Sequence, residues 1–149
     1  MKNRIQKIDA FRITIERRKL ARDEKSVRKI FEVCSIPCEC MAINIDWLAI
    51  VVREAERWKV SRFVERLSRE LSNTDICING KIVLLYLENG QMTSRRIGML
   101  ISSLAIQDVD IVMQRYIKCE DRLVIGTSVE DADRARKIIG DVIAADYQT

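Results

Sequence analysis

The sequence predicts an α+β fold built from two ferredoxin-like βαββαβ units, each with an antiparallel sheet and helices on one face. Two observations carry this prediction. Four segments with helical periodicity are separated by β-branched runs, and the resulting order of elements occurs almost twice. The chain has 149 residues, is 48% hydrophobic and contains one proline and five glycines. That composition suits one ordinary domain, or two small ones, with regular elements and short connections.

The helices are predicted where apolar residues recur at i, i+3, i+4 and i+7, because this spacing gives each helix one apolar face. The four segments are 27–34, 60–71, 97–104 and 132–142. Ser61, Asp131 and one of the pair Thr93 and Ser94 are the expected helix caps, since their side-chain oxygens can accept from free backbone amides.

The strands are predicted from β-branched composition and from alternation of apolar and polar residues. Phe11, Ile13 and Ile15 alternate with polar neighbours, which indicates a strand with one buried face. The run 82–87 is continuously apolar and indicates a more central strand. The expected strands are 4–8, 11–16, 36–45, 47–53, 74–78, 81–88, 109–117 and 121–127.

A repeat of about 70 to 75 residues organises these elements. Residues 27–31 recur as 97–101, and 47–52 recur as 122–127. The second unit lacks its last strand, and the chain begins with an additional strand at 4–8 that can complete the second unit's sheet. We therefore predict a first unit at 10–78, inserted into a second unit made of 1–9 and 79–149. Asn79-Gly80 is a strong hairpin signature, but we interpret it as a sharp turn between the units.

Composition and charge exclude several functions. Without histidine there is no imidazole base, nucleophilic triad or histidine metal ligand. No apolar run is long enough to span a membrane, and the charged N-terminus is unlike a signal peptide, so we expect a cytoplasmic protein. Residues 1–29 carry eleven Lys/Arg and four Asp/Glu, a net charge of +7 against +4 for the chain. This segment is either a solvated face or a surface for an anion, nucleic acid or acidic partner, with nucleic acid the weaker alternative.

Three local patterns are candidate sites. Cys34, Cys38 and Cys40 could supply zinc ligands, but the spacing favours free thiols that behave as small apolar residues. The loop 88–91 could present backbone amides to an anion, although an ordinary strand-to-helix connection explains it as well. Glu39, Asn44 and Asp46 surround a predicted strand–strand turn that could close on a small ligand, or could be an exposed polar turn.

The doubled order, together with the segment 35–46, resembles the tandem ACT regulatory region of aspartokinases. Four residues of that segment match the family pattern G-I-S-x-E-H-x-P-S-G-I-D: Ile36, Glu39, Ile45 and Asp46. In the second unit, residues 110–113 lie where the family has N-I-R-M, and four further residues fall on the pattern Q-G-S-S-E-I-N-I-x-I-G-V-x-x-E-D: Glu120, Gly126, Glu130 and Asp131. The similarity extends from residue 4 to about 140.

The resemblance implies a regulatory module that binds a free amino acid of the lysine or threonine class. It also implies a homodimer formed by sheet pairing between ACT units, and an enzyme partner is a further expectation. No catalytic residues, metal or cofactor are implied, since the kinase strand K-F-G-G-T-S is not found in this sequence. The implied effector-binding residues lie at the start of the first helix and along the next strand and its turn: Arg22, Asp23, Glu24, Cys38, Glu39, Ile43, Asn44, Ile45 and Asp46.

Several ligand-bearing positions depart from the family. The Gly-Phe pair that opens the first helix is replaced by Arg22-Asp23, so the Arg22 side chain would bind the effector carboxylate that amides bind elsewhere. Glu39 would bind the ammonium group. The glycine, serines and asparagine of the second unit's turn are also absent. The alternative is therefore a ligand-free interaction subunit of an amino-acid biosynthetic enzyme.

Overall fold

The computed structural model describes residues 5–88 and 91–147, and in this part six strands alternate with four helices. The strands are β1 (Ile5–Glu16), β2 (Cys40–Ile43), β3 (Trp47–Arg53), β4 (Asp75–Glu88), β5 (Ile111–Ile117) and β6 (Arg122–Ser128). The helices are α1 (Glu24–Val33), α2 (Val60–Glu70), α3 (Ser94–Ile106) and α4 (Ala132–Tyr147). Short 3-10 turns cover Leu20–Asp23, Glu54–Lys59 and Lys118–Glu120.

The chain forms two compact units. The first unit is Asp9–Lys81, and within the described residues the second consists of 5–8 and 82–147. Strands β1 and β4 each contribute residues to both units. The strand order is β2-β3-β1-β4 in the first unit and β1-β4-β6-β5 in the second. The prediction of an α+β fold with an antiparallel sheet and four helices is confirmed.

The core of the first unit forms where the apolar faces of α1 and α2 pack on the inward side of β1 and β3. Phe11, Ile13 and Ile15 are buried on β1, as their alternation with polar residues predicts. The rings of Phe31 and Phe63 meet edge to face, with their centroids 5.3 Å apart. This contact joins the end of α1 to α2 over the strands.

The core of the second unit is separate. It combines β4 residues Val83, Leu85 and Leu87 with the apolar faces of α3 and α4.

Gly126 lies on β6, and a Cβ at this position would collide with the Met113 side chain of β5. The pairing of β5 with β6 shifts register between Ile111 and Met113.

The structure corrects the prediction for Asn79-Gly80. The segment is neither a hairpin nor a sharp turn, because β4 runs through it from Asp75 to Glu88 with Gly80 at a φ of 68°. Strand β4 continues through Gly80 because its first half packs in the core of the first unit and its second half in the core of the second unit. Ile76 packs in the first unit and Val83 in the second, and a reversal at Gly80 would separate one of them from its core.

The structure also decides several other boundaries and caps. The strands expected at 4–8 and 11–16 are one strand, although residue 4 lies outside the described part. The strand expected at 36–45 is only Cys40–Ile43. Thr93 is the cap of α3, since its hydroxyl accepts from the Arg96 amide at 3.2 Å. Ser61 is not a cap, because α2 already begins at Val60.

Candidate functional site

The turn between β2 and β3 lies against the segment that joins β1 to α1. The Lys19 amide donates to Asp46 Oδ1 at 2.9 Å, and the Arg17 amide donates to the Asp46 carbonyl at 3.0 Å. The Ala21 amide donates to the Ile45 carbonyl at 3.1 Å. The structure therefore holds the segment 17–21 against the turn at 44–46, and the predicted residues Arg22, Asp23 and Glu24 follow that segment directly.

Local conformation explains this arrangement. Lys19 adopts a left-handed φ of 58°, which reverses the chain after β1 and lets Leu20 bury its side chain completely. On the facing turn, the Asn44 amide donates to the Trp47 carbonyl at 2.8 Å, and Asn44 Oδ1 accepts from the Ile45 amide at 2.6 Å. The side chains of Asn44, Ile45 and Asp46 are exposed on this closed turn.

The charged residues at the start of α1 differ in how they are paired. Asp23 Oδ2 accepts from Arg17 Nε at 3.0 Å, and Glu24 pairs with Arg28 one helical turn later at 2.7 Å. Arg22 is exposed, and its guanidinium has no partner among the described residues. Arg22 therefore offers a ligand an unpaired cation at this helix start, which suits a carboxylate.

Cys38 and Glu39 lie at the other end of the β2–β3 hairpin. Glu39 forms an ion pair with Arg53 of β3, and its amide donates to the Val51 carbonyl at 2.9 Å. Cys38 Sγ donates to the Cys40 carbonyl at 3.1 Å. Five residue-to-residue steps along the extended chain lead from Glu39 to Asn44, which corresponds to roughly 16 Å. The structure therefore does not bring Glu39 to the turn. The backbone of Ile43 pairs with Leu48 in this hairpin.

The cysteines do not form a metal centre in the described part of the chain, where no three His, Cys, Asp or Glu residues are placed to hold an ion. All five are free thiols. Cys34 is buried, Cys38 and Cys40 are half-buried, and Cys77 and Cys119 are exposed.

The second unit contains a carboxylate site that the sequence analysis missed. Asp121 lies between β5 and β6, and its two oxygens accept from the amides of Gln91 and Met92 at 2.8 and 3.0 Å. The Tyr116 hydroxyl donates to Asp121 at 3.2 Å. In the loop 88–91, the Gln91 amide thus donates to a carboxylate of the chain itself, and residues 89 and 90 lie outside the described part. The repeat could have revealed this carboxylate, because Asp121 follows Asp46 by 75 residues.

These contacts shift the pKa values of Asp121 and Tyr116. The pKa of Asp121 is lowered from 3.8, mainly by the hydrogen bond from the Met92 amide, with further help from the Gln91 amide and the Tyr116 hydroxyl. The pKa of Tyr116 is raised, first because burial disfavours its charged form and then because Asp121 lies beside it. Asp121 therefore remains a carboxylate at neutral pH and joins the β5–β6 turn to the start of α3.

A cavity of about 350 Å³ opens beside the β2–β3 turn, within the first unit. The end of β1 and the residues after it line one wall with Glu16, Arg17 and Arg18. Asp46 and Trp47 line a second wall, and the start of β4 supplies Asn73 and Asp75. Asp46 belongs to the candidate turn, and Glu16, Arg17 and Arg18 belong to the basic segment 1–29 that the sequence offers as an anion surface. The sequence does not predict that these residues meet Trp47, Asn73 and Asp75, because the three walls are distant in the chain.

No helix in the described residues is long and apolar enough to cross a membrane.

Comparison by sequence gives no match: no protein-family model matches the chain, and no curated protein does. Solved structures do match. Aspartate kinase from Clostridium acetobutylicum superposes with a TM-score of 0.73 at 17% identity over 93% of this chain. The chain spans only 34% of that enzyme's length.

Two regulatory structures match over nearly their whole length. The ligand-free regulatory subunit of aspartate kinase from Thermus thermophilus gives a TM-score of 0.73 at 12% identity, covering 93% of this chain and 95% of that one. A putative C-terminal regulatory domain of aspartate kinase from Porphyromonas gingivalis gives 0.70 at 12% identity, covering 95% and 96%. The chain therefore has a fold similar to that of aspartate kinase regulatory domains.

Proposed function

We propose that this chain is a regulatory module of the ACT type that binds a free amino acid of the lysine or threonine class. The observation that carries the proposal is the match over nearly the full length of two aspartate kinase regulatory structures, from Thermus thermophilus and Porphyromonas gingivalis. Asp9–Lys81 and the remaining residues would then be the two ACT units. The module itself would carry no catalytic residues and would act on a kinase activity through its ligand.

The candidate effector contacts are at the start of α1 and on the β2–β3 turn. Arg22 is an exposed cation there and would bind the effector carboxylate, with Asn44 offering its side chain from the facing turn. The role of Glu39 as the ammonium ligand stays a prediction that competes with the ion pair from Glu39 to Arg53.

A panel of the twenty amino acids in a thermal-shift experiment tests this function. A ligand that binds only the folded chain, present at 100 times its Kd, adds about 2.7 kcal/mol to the free energy of unfolding. For a chain of this length, that stabilisation raises the Tm by several degrees. The Arg22→Met variant should lose most of the shift, whereas Lys25→Met, which removes a nearby exposed cation on α1, should keep it. A panel in which no amino acid raises the Tm contradicts the proposal.

The second candidate function is a ligand-free interaction subunit of an amino-acid biosynthetic enzyme. It is favoured by the pairing of the acids expected near the effector, since Asp23, Glu24 and Glu39 all form ion pairs within the chain. This function would be favoured over the first if no amino acid of the panel raised the Tm and an aspartate kinase co-purified with the chain.

We also propose that the chain forms a homodimer by strand addition. Among the described strands, β2 and β5 each pair on one side only, and unpaired strand edges favour association. Sedimentation equilibrium should return twice the 17.3 kDa mass of the chain. A single-chain mass at micromolar concentration would contradict the dimer.

A further inference from the structure

We propose that the second unit contains a carboxylate-binding site that the chain fills with its own Asp121. The donors are the backbone amides of Gln91 and Met92 and the hydroxyl of Tyr116. A free carboxylate of similar size would occupy these donors once the Asp121 side chain is removed. The inference rests on the proposed function in one respect, because it implies that a free amino acid binds in the first unit and not at this turn.

Three donors converge on this one carboxylate. Oδ2 of Asp121 accepts from the Gln91 amide at 2.8 Å, and Oδ1 accepts from the Met92 amide at 3.0 Å. The Tyr116 hydroxyl lies 3.2 Å from the same Oδ1. Both oxygens are thus bound, so the donors recognise the carboxylate as a whole, and each hydrogen bond gains from the negative charge of its acceptor.

The backbone conformation of the loop before α3 shapes the site. Gln91 adopts a left-handed φ of 48°, and consecutive amides around such a residue can form a concave surface that binds an anion. Asp121, which faces this loop, is also left-handed, with a φ of 45°. These two conformations, uncommon for residues other than glycine, place the amides and the carboxylate within hydrogen-bond distance of each other.

Neighbouring groups hold the donors in place. The Tyr116 hydroxyl lies 3.3 Å from the Met92 carbonyl as well as beside Asp121, and Arg96 Nη1 donates to the Gln91 carbonyl at 3.0 Å. The hydrogen bond from the Met92 amide is the main cause of the lowered pKa of Asp121, and the positive charge of Arg96 adds to it. Little ordering would therefore be needed for another carboxylate to take the same place.

The first unit holds its corresponding aspartate less completely. Asp46 Oδ1 accepts from the Lys19 amide at 2.9 Å, but the next amide, that of Leu20, donates to the Arg17 carbonyl at 3.1 Å. Two consecutive amides therefore bind the carboxylate of Asp121, whereas one amide binds that of Asp46. The complete carboxylate site is a feature of the second unit.

The covalent link to the chain decides which carboxylate fills the site. Asp121 presents its carboxylate at an effective concentration in the millimolar range or above, so a free amino acid would compete with a ligand that cannot diffuse away. The turn of the second unit is thus closed to free carboxylates. We expect at most one effector molecule per chain, bound in the first unit, where Arg22 is exposed.

Chemical rescue of the full chain tests the site. Asp121→Gly removes the side chain, and glycine readily adopts the left-handed φ of this position. Acetate has the same two carbons and the same carboxylate as the side chain that is lost. Sodium acetate at about ten times its Kd should raise the Tm of Asp121→Gly by about 3–6 °C relative to equal sodium chloride. The parent, whose site is filled, should show a clearly smaller difference between the two salts.

Controls assign the rescue to this site. Asp141→Ala, which removes an exposed carboxylate from α4, should respond to acetate as the parent does. Acetamide, a neutral molecule of similar size, should stabilise Asp121→Gly far less than acetate. Adding Tyr116→Phe to Asp121→Gly should weaken acetate binding by about fivefold or more, because one hydrogen bond to a charged acceptor is lost. If Asp121→Gly does not melt cooperatively, Asp121→Ala replaces it, with the same response expected.

The outcomes separate this inference from the proposed function. If acetate stabilises Asp121→Gly no more than it stabilises the parent, the carboxylate site is overturned. Equilibrium dialysis of the parent against L-lysine and against L-threonine should return no more than one molecule per chain, and two per chain would overturn the closure of the second unit. If no amino acid of the panel binds but acetate rescues Asp121→Gly, the proposed function fails and the carboxylate site stands.

Discussion

The carboxylate of Asp121 accepts a hydrogen bond from the backbone amide of Gln91 at 2.8 Å, and this contact has a counterpart in the other unit. Asp46 accepts from the amide of Lys19 at 2.9 Å. Both donors precede the first helix of their unit and are left-handed, with φ of 48° at Gln91 and 58° at Lys19. Each unit therefore uses an aspartate of its strand–strand turn to hold the segment before its first helix.

Removal of this carboxylate should destabilise the second unit. Asp121→Ala leaves the amides of Gln91 and Met92 without their acceptor, and the loss resembles that of a helix cap, about 1 kcal/mol. Urea unfolding measures the change in the free energy of unfolding. Asp141→Ala, which removes an exposed carboxylate from α4, is the matched control and should be close to neutral. Equal losses in the two variants would contradict the structural role of Asp121.

The hydrogen bonds to Asp121 also predict part of the loss of folding stability at low pH. Because the hydrogen bond from the Met92 amide lowers the pKa of Asp121 in the folded chain below its ordinary 3.8, folding is favoured while this group is ionised. The stabilisation is fully present above the unfolded pKa and is lost as the pH falls through the folded pKa, below about pH 4. Asp121→Asn should therefore lose less stability than the parent between about pH 7 and pH 3, measured by urea midpoints. If the urea midpoints of the parent chain and of Asp121→Asn fell by the same amount over this pH range, the prediction would be contradicted.

Local periodicity predicted the elements well, since each depends on residues close in sequence. The strand expected at 47–53 is β3, and the apolar stripe from Val60 to Leu67 is the buried face of α2. The Asn79-Gly80 segment was predicted wrongly because a turn signature describes local preference. The continuity of β4 is decided instead by burial of Ile76 and Val83 in different cores.

The candidate site was less predictable because it depends on pairing between distant residues. Glu39 forms an ion pair with Arg53, and Arg17 donates to Thr74. Neither contact can be predicted from the spacing of residues in the sequence. Asp46 could be identified because it lies within the segment that resembles the family. Asp121 could have been identified from the repeat alone, at the equivalent place 75 residues later.

Gly126 is expected to resist substitution. An added Cβ would collide with the side chain of Met113 on the neighbouring strand, and Leu84 lies on the other side at 3.4 Å. Gly126→Ala should therefore destabilise the chain by about 1–3 kcal/mol through overpacking. A companion substitution, Met113→Ala, should restore part of the loss by removing the colliding atoms. If Gly126→Ala is neutral in urea unfolding, the close approach of β5 and β6 is wrong.

The cap of α3 is a separate contribution to stability. The Thr93 hydroxyl accepts from the Arg96 amide at 3.2 Å, so Thr93→Ala should lower the free energy of unfolding by about 1 kcal/mol. Ser94→Ala is the control, because Ser94 is the first residue of the helix and alanine is tolerated there. The two variants also decide between the two caps that the sequence left open, and a larger loss in Ser94→Ala would reverse the assignment.

Glu39 is the residue for which the family resemblance and the structure lead to different experiments. If Glu39 binds the effector ammonium, Glu39→Gln weakens ligand binding and Arg53→Met does not. If its main role is the ion pair to Arg53, the two variants lose similar stability, and the double variant loses less than the sum. We expect the second result, with a coupling of about 0.5 kcal/mol for this partly exposed pair, and with L-lysine affinity changed less than by Arg22→Met. Denaturation of the four proteins of the cycle, each titrated with L-lysine, measures both quantities. A loss of affinity in Glu39→Gln that Arg53→Met does not share would return Glu39 to the binding site.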